Sequence, residues 1–311
     1  DRSVSRGLGD VYKRQVYDYC FAMAKRFRGR VKYYEIFAEF MKDPLDSRAR
    51  AVAAVLPHAR KGLKEGDPEC VVVACGEDGL PTLLSQLEAH FKLGTLQFMD
   101  ILSLHPYGGF DAQFRPLLDR LRQSMAKHNR GKLLPVWGTE AGARGLDTLY
   151  YDGIDFETMY YPNFVTELDQ AEQMVRQNLI AFGEGMERNA TFYLYSGAAG
   201  GMDSFSFVDG SNGIRPKTLF PAFANLVERL SGAEPVRRFE QPENGSCGYL
   251  FRKDGKLFAA MWNFDPHHKT HPVELPLRPE QLKVFNLVGE PVRPAGRDKC
   301  MLELTGGALY F

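Results

Sequence analysis

The sequence predicts an α/β chain: a parallel-sheet domain of the eight-stranded barrel type, followed by a small antiparallel β domain. Three observations predict it. Apolar runs of strand length alternate with amphipathic helices five times before Gly232. Two of those strands end on an acid, Glu39 after VKYYEIFA and Glu140 after LLPVWGT. A buried parallel strand delivering a carboxylate at its carboxyl end fits an α/β barrel, where that end carries the chemistry. Past Gly232 the rhythm changes to short alternating runs broken by proline, glycine and charged turns.

In chain order, residues 5–15 read SRGLGDVYKRQ. They resemble the translation of an adapter used in transposon-based sequencing libraries, so residues 1–15 are expected to be foreign to the native chain and are set aside. VYDYCFAMAKRFR, residues 16–28, predicts a helix with Gly29 as its stop. The strand to Glu39 follows, then a helix over about 47–64 that Pro57 would kink or split. ECVVVACGEDG is rich in β-branched residues and predicts a strand over 69–79. LPTLLSQLEAHFKLG has the apolar spacing of a helix and ends on Gly94. A strand over 99–109 runs into a His105-Pro106-Tyr107 turn, and an amphipathic helix over 114–131 precedes the strand to Glu140. After a long aromatic segment come a helix capped by Thr166, a strand over 189–197 holding Tyr195, and a helix over 218–232.

Residues 16–234 are thus expected to form the α/β part and 235–311 an antiparallel β-sandwich. Asp254-Gly255 between GYLFRK and KLFAAMWNF is a strong hairpin signal. A hydrophobic content of 44%, a charged content of 25% and a formal net charge of zero describe an ordinary globular chain. No basic excess favours nucleic acid or an anionic membrane, and no apolar run approaches the roughly 20 residues of a bilayer span. A leader ahead of Val16 would not be visible, so localisation stays open. Cys20, Cys70, Cys75, Cys247 and Cys300 form no C-x-x-C pair and read as buried structural thiols.

Three motifs then carry a resemblance. YYEIFAEF is similar to the fourth-strand motif of retaining glycoside hydrolases with a (β/α)8 barrel, the clan of β-xylosidase-like and cellulase-like families, in which W/Y-E-I-W-N-E ends in the general acid/base. PVWGTEAG resembles their seventh-strand motif, which bears the nucleophile, and SLHPYGG their sixth-strand H-x-Y motif. The resemblance implies a TIM barrel followed by a β-sandwich, with Glu39 as acid/base and Glu140 as nucleophile. It implies His105 and Tyr107 in the sugar pocket, Tyr107 donating to Glu140, and Tyr195 where many members carry a tryptophan under the sugar. Counting the strand to Glu140 as the seventh makes that to Glu39 the fourth, so the first three strands, about 90 residues, are expected to be absent.

Two carboxyl groups are what retention requires. One attacks the anomeric carbon while the other protonates the departing oxygen, and their separation is about 5–5.5 Å. The attacking group must stay ionised while the acid keeps its proton, so their surroundings must differ. No cofactor or metal is needed, and the partner is a carbohydrate. Glu35, on the same strand face as Glu39, reads as a structural partner, and Trp137, three residues before Glu140, as packing. Tyr150, Tyr151, Tyr160 and Tyr161 suit either sugar stacking or loop packing. Trp262 reads as core, and His267, His268 and His271 as a solvated turn.

One position departs from the clan. Ala38 stands where asparagine normally contacts the sugar's 2-hydroxyl, a contact contributing on the order of 2 to 4 kcal/mol in the transition state. Three explanations stay open: a sugar without a free 2-hydroxyl, a donor supplied from one of the strands expected to be absent, or a weakened enzyme. Beside the retaining glycosidase stand a catalytically silent carbohydrate-binding barrel and a metal-dependent sugar isomerase using Glu39, Glu140 and His105. The last lacks clustered acids and histidines.

Overall fold

The computed structural model describes residues 2–38, 45–107, 110–143, 166–195, 205–209, 214–241, 246–263 and 270–311. The chain divides into two compact units, one of residues 1–106 with 116–140, the other of 107–115 with 141–311.

The first unit alternates as expected: α1 (Arg2–Arg26), β1 (Tyr33–Ala38), α2 (Leu45–Gly66), β2 (Val71–Asp78), α3 (Leu80–Lys92) and β3 (Ile101–His105). It also holds most of α4 (Phe110–His128) and, through Glu140, β4 (Val136–Ala141). The sheet has the order β1-β2-β3-β4-β5, with β5 at Arg188–Thr191. β1 with β2, β2 with β3, and β3 with β4 all pair parallel. A five-stranded sheet of this kind with intervening helices is the pattern of an α/β barrel-like fold.

Alternation sorts the side chains. Val73, Ile101 and Trp137 form a buried cluster on one face, with Tyr33 and Val71 packed against it. Trp137 is therefore packing, its ring 4.7 Å from that of Tyr33. Val72, Ala74, Leu102 and Leu104 point the other way and are fully buried; α2 contacts β1, and α3 contacts β2.

Two helix expectations need correction. α1 begins at Arg2 rather than near Val16, so it takes in residues set aside from the sequence. Gly7 and Gly9 each cost about 1 kcal/mol against alanine but do not end it. α2 is not split at Pro57, which lies inside it. Gly62 and Gly66 on α2 let α1 approach closely: an added Cβ would lie 2.4 Å from the Tyr17 carbonyl oxygen and 2.6 Å from that of Phe21. Cys20 and Ala24 are buried at this crossing, and burial pushes the Cys20 thiol up to about 11. All five cysteines are buried, and none of them forms a disulfide.

The second unit contains α5 (Glu167–Gly183), β5, the short pair β6 (Val208–Asp209) and β7 (Arg215–Pro216), and α6 (Leu219–Leu230). Thr166 caps α5 as expected, in a reciprocal capping box with Asp169. The strand expected over 189–197 is regular only over Arg188–Thr191. Beyond α6 lies the antiparallel part. β8 (Glu234–Gln241), β9 (Ser246–Lys253), β10 (Lys256–Asn263), β12 (Val284–Phe285), β13 (Pro291–Val292) and β15 (Leu309–Tyr310) form one sheet. β11 (His271–Leu275) and β14 (Cys300–Leu304) form another, and both sheets feed one core of Met261, Val273, Val284, Leu302, Leu304 and Leu309. Asp254 (φ 51°) and Gly255 (φ 74°) make the hairpin turn between β9 and β10, as their sequence predicts. β8 was not anticipated, since Arg237, Arg238 and Glu240 on it are polar and largely exposed. No helix among the described residues is long and apolar enough to cross a membrane.

Asp100 ties α2 to the sheet. It accepts from Arg60 Nη1 at 2.8 Å and from the Val72 backbone N–H at 3.0 Å, and Lys64 Nζ lies 3.1 Å away. Burial raises its carboxyl, but those donors outweigh burial and hold it below the ordinary carboxylate value. A depressed acid stabilises the fold above its unfolded value and loses that contribution as pH falls through the folded one. Asp100→Asn should therefore cost about 1–3 kcal/mol at pH 7. The gap to the wild type should narrow below about pH 4 in urea unfolding.

Candidate active site

The carboxyl ends of the parallel strands bring three polar side chains together inside the first unit. Glu35 of β1 accepts from Thr139 Oγ1 of β4 at 2.8 Å. His105, the last residue of β3, lies with Nε2 3.1 Å from the same hydroxyl. The imidazole is buried, 3% exposed, whereas Glu35 is exposed. A threonine hydroxyl has a single proton, and an ionised carboxylate only accepts. Thr139 thus gives its proton to Glu35 and accepts from His105 Nε2–H.

Backbone irregularity shapes the same spot. Phe37 of β1 (φ 67°) and Cys75 of β2 (φ 74°) lie side by side, bracketed by the pairs Ile36 with Ala74 and Ala38 with Gly76. A left-handed residue other than glycine costs on the order of 1 to 3 kcal/mol, and such strain collects at functional sites. On β2 the irregularity is a bulge: Cys75 and Gly76 together face only Ser103 between the pairs Ala74–Leu102 and Glu77–Leu104. The extra residue reverses the alternation. Gly76 turns to the side of Glu35 and His105, where an added Cβ would stand 3.1 Å from Glu35 Oε1 and 2.9 Å from His105 Nε2. Glu77 turns toward the helices and is buried with Arg48 and His90. Arg48 Nη1 donates to Glu77 Oε2 at 3.1 Å, and His90 Nε2 to Glu77 Oε1 at 2.7 Å.

The expected site residues fall as follows. Glu140 is half-buried near the end of β4, next to Thr139 and beyond Gly138, where the registered pairing with β3 stops. His105 joins it through Thr139. Ala38 is exposed at the end of β1. Glu39 lies outside the described residues, as do Tyr150, Tyr151, Tyr160, Tyr161, His267 and His268. In the second unit Tyr107 is 6% exposed, its ring edge-on to Phe205 at 5.7 Å. Gly142 makes room for both, since a Cβ there would be 2.8 Å from each ring. Tyr195 is half-exposed and forms an isolated bridge with Val208. Trp262 is fully buried against Tyr249, as expected of core. His271 is half-buried in β11 rather than in a solvated turn. Among the described residues, no group of three or more His, Cys, Asp or Glu could hold a metal ion.

Sequence reasoning passed over Thr139, Gly76 and the Arg48–Glu77–His90 cluster. Thr139 could have been found, since it shares the alternation of Trp137 and sits two residues nearer the strand end. Gly76 and Glu77 could not, because the bulge that aims them has no local signature.

No protein-family profile matches the chain, and no curated protein matches it. Solved structures do. A family 39 glycoside hydrolase from Bacteroides cellulosilyticus superposes with a TM-score of 0.70 at 17% identity, over 93% of this chain and 59% of that one. The catalytic domain of the family 30 xylanase C from Talaromyces cellulolyticus gives 0.58 at 11% identity, over 96% and 66%. An α-L-arabinofuranosidase from Thermotoga maritima gives 0.51 at 14% identity, over 90% and 65%. This chain therefore has a glycoside-hydrolase-like fold and spans 59% to 66% of the length of these three.

Gly76→Ala tests the closeness of this packing. The new methyl has no room beside the buried imidazole, so the variant should lose about 1–3 kcal/mol in urea unfolding. A neutral result would show that His105 is not held where the contacts place it.

Proposed function

We propose that this chain carries the reaction of a retaining glycoside hydrolase, with Glu140 as nucleophile, Glu39 as general acid/base and a carbohydrate as substrate. One observation carries the reading. Glu140 lies near the end of a parallel strand beside a hydrogen-bonded Glu35–Thr139–His105 set, in a sheet whose neighbouring strands β1 and β2 also hold two left-handed non-glycine residues. The superposed glycoside hydrolases add support at the level of fold. In this reading the five-stranded sheet belongs to a (β/α)8 barrel, residues 16–234 perform catalysis, and residues 235–311 form an accessory β-sandwich. His105 serves as a sugar-binding residue, and the resemblance gives Tyr107 and Tyr195 the same role.

The chemistry has two displacements. Glu140 attacks the anomeric carbon as Glu39 gives its proton to the leaving oxygen. Water, deprotonated by Glu39, then releases the sugar from Glu140. A second reading, a silent carbohydrate-binding barrel, draws on Ala38, whose methyl has no donor for a sugar hydroxyl.

Glu140→Gln should abolish turnover of an aryl-glycoside panel while its circular dichroism stays that of the wild type. Retention of most of kcat on every accepted substrate would remove Glu140 from the mechanism. Glu39→Ala should still turn over substrates with good leaving groups and recover rate with azide. NMR of the first sugar released should show the substrate's own anomeric configuration, since two inversions restore it. An inverted first product would exclude a covalent role for Glu140.

A further inference from the structure

The hydroxyl of Thr139 touches two groups and can donate to one. Oγ1 is 2.8 Å from Glu35 Oε1 and 3.1 Å from His105 Nε2. While Glu35 is ionised it takes the proton, and the direction of the second bond is then fixed: the imidazole must donate from Nε2. In the neutral ring the lone pair therefore sits at Nδ1. His105 is 3% exposed, so water does not readily replace Thr139 as its partner at Nε2. A Cβ added at Gly76 would stand 2.9 Å from Nε2 and 3.1 Å from Glu35 Oε1. A neutral histidine has two tautomers, and the partner on one nitrogen selects between them.

We propose that Thr139 is a positioning residue, a one-proton relay through which Glu35 sets the tautomer and orientation of His105 and holds the strand end that carries Glu140. The proposal rests on the glycosidase reading for its consequence in catalysis, but its geometry is independent of that reading. Glu35 acts as the anchor of the relay. Its carboxylate accepts the Thr139 hydroxyl of β4 at 2.8 Å. The relay also gives Glu35 a task distinct from acid/base chemistry, although it lies on the strand that leads to Glu39.

Two measurements separate the relay from the reading it serves. The first is long-range ¹⁵N–¹H NMR of the histidines of the full chain at about pH 8.5, where an ordinary imidazole is neutral, with His105 assigned by His105→Gln. The wild type should show the Nε2–H tautomer. Glu35→Gln, which keeps an acceptor oxygen, and Thr139→Ser, which keeps the hydroxyl, should leave it unchanged. Glu35→Ala frees the hydroxyl to donate to His105, so Nδ1–H should appear; Thr139→Val should show it as well. An Nδ1–H wild type, or one tautomer across all variants, would overturn the relay.

The second measurement is kinetic. Thr139→Val should lower kcat on an aryl glycoside about 10–100-fold, as a misplacement near 1 Å does, with KM changed less than about threefold. Thr139→Ser should recover most of the loss. An equal loss in the serine variant would mean that methyl packing, not the hydroxyl, matters, and would overturn the positioning role. If the wild type turns over no glycoside, the glycosidase reading fails, and the NMR result still decides the relay.

Discussion

The parallel register of β1 to β4 is the constraint on which the candidate site depends. Side chains alternate with a period of two, so a slip of one residue would turn Glu35, His105 or Thr139 away from the other two. The apolar cluster of Val73, Ile101 and Trp137 prevents such a slip, because it would put those side chains in the wrong layer. Burying each contributes about 1.5–3 kcal/mol, against about 1 kcal/mol for a typical hydrogen bond. The packed ends of the strands thus set the register, and the polar ends inherit it. The short distances around Thr139 follow from core packing rather than from their own strength.

The bulge at Cys75 is the one place where β2 leaves this rule. By strict alternation Glu77 would share the face of Val73; with the extra residue it points to the helices and meets Arg48 and His90. Such a buried ionic set is weak evidence for stability, because desolvating each charge costs several kcal/mol before pairing repays it. The set links α2, α3 and β2 through the two oxygens of one carboxylate. The same bulge delivers Gly76 to the His105 side. One irregular residue serves both faces of the strand.

In the second unit a different interaction joins helix to sheet. The Arg229 guanidinium of α6 lies 4.5 Å from the Phe285 ring centroid and 4.8 Å from that of Tyr310, while its Nε donates to Asn225. Burial lowers its pKa, and the two aromatic faces hold it. Asn225 also reaches the Leu287 carbonyl, and Tyr249 fits over Gly183 with its hydroxyl donating to Glu184. These contacts explain why residues from 141 onward and the antiparallel sheets form one compact unit.

Read alone, the sequence determined the alternation of strands and helices in the first unit, the Thr166 cap, the Asp254-Gly255 hairpin and the core roles of Trp137 and Trp262. Each depends on neighbours within about four residues, through period, cap chemistry or turn dihedrals, and such information is written locally. It also marked Glu140, His105 and Glu35 as residues of interest, because strand ends are visible as the points where apolar runs stop. Only the tertiary structure decided that Thr139 joins Glu35 to His105, that Glu77 leaves the site for Arg48 and His90, and that Gly76 must stay bare. Those outcomes are set by the register between strands far apart in the chain and by a left-handed residue at Cys75. Neither has a period or a composition from which it could be read.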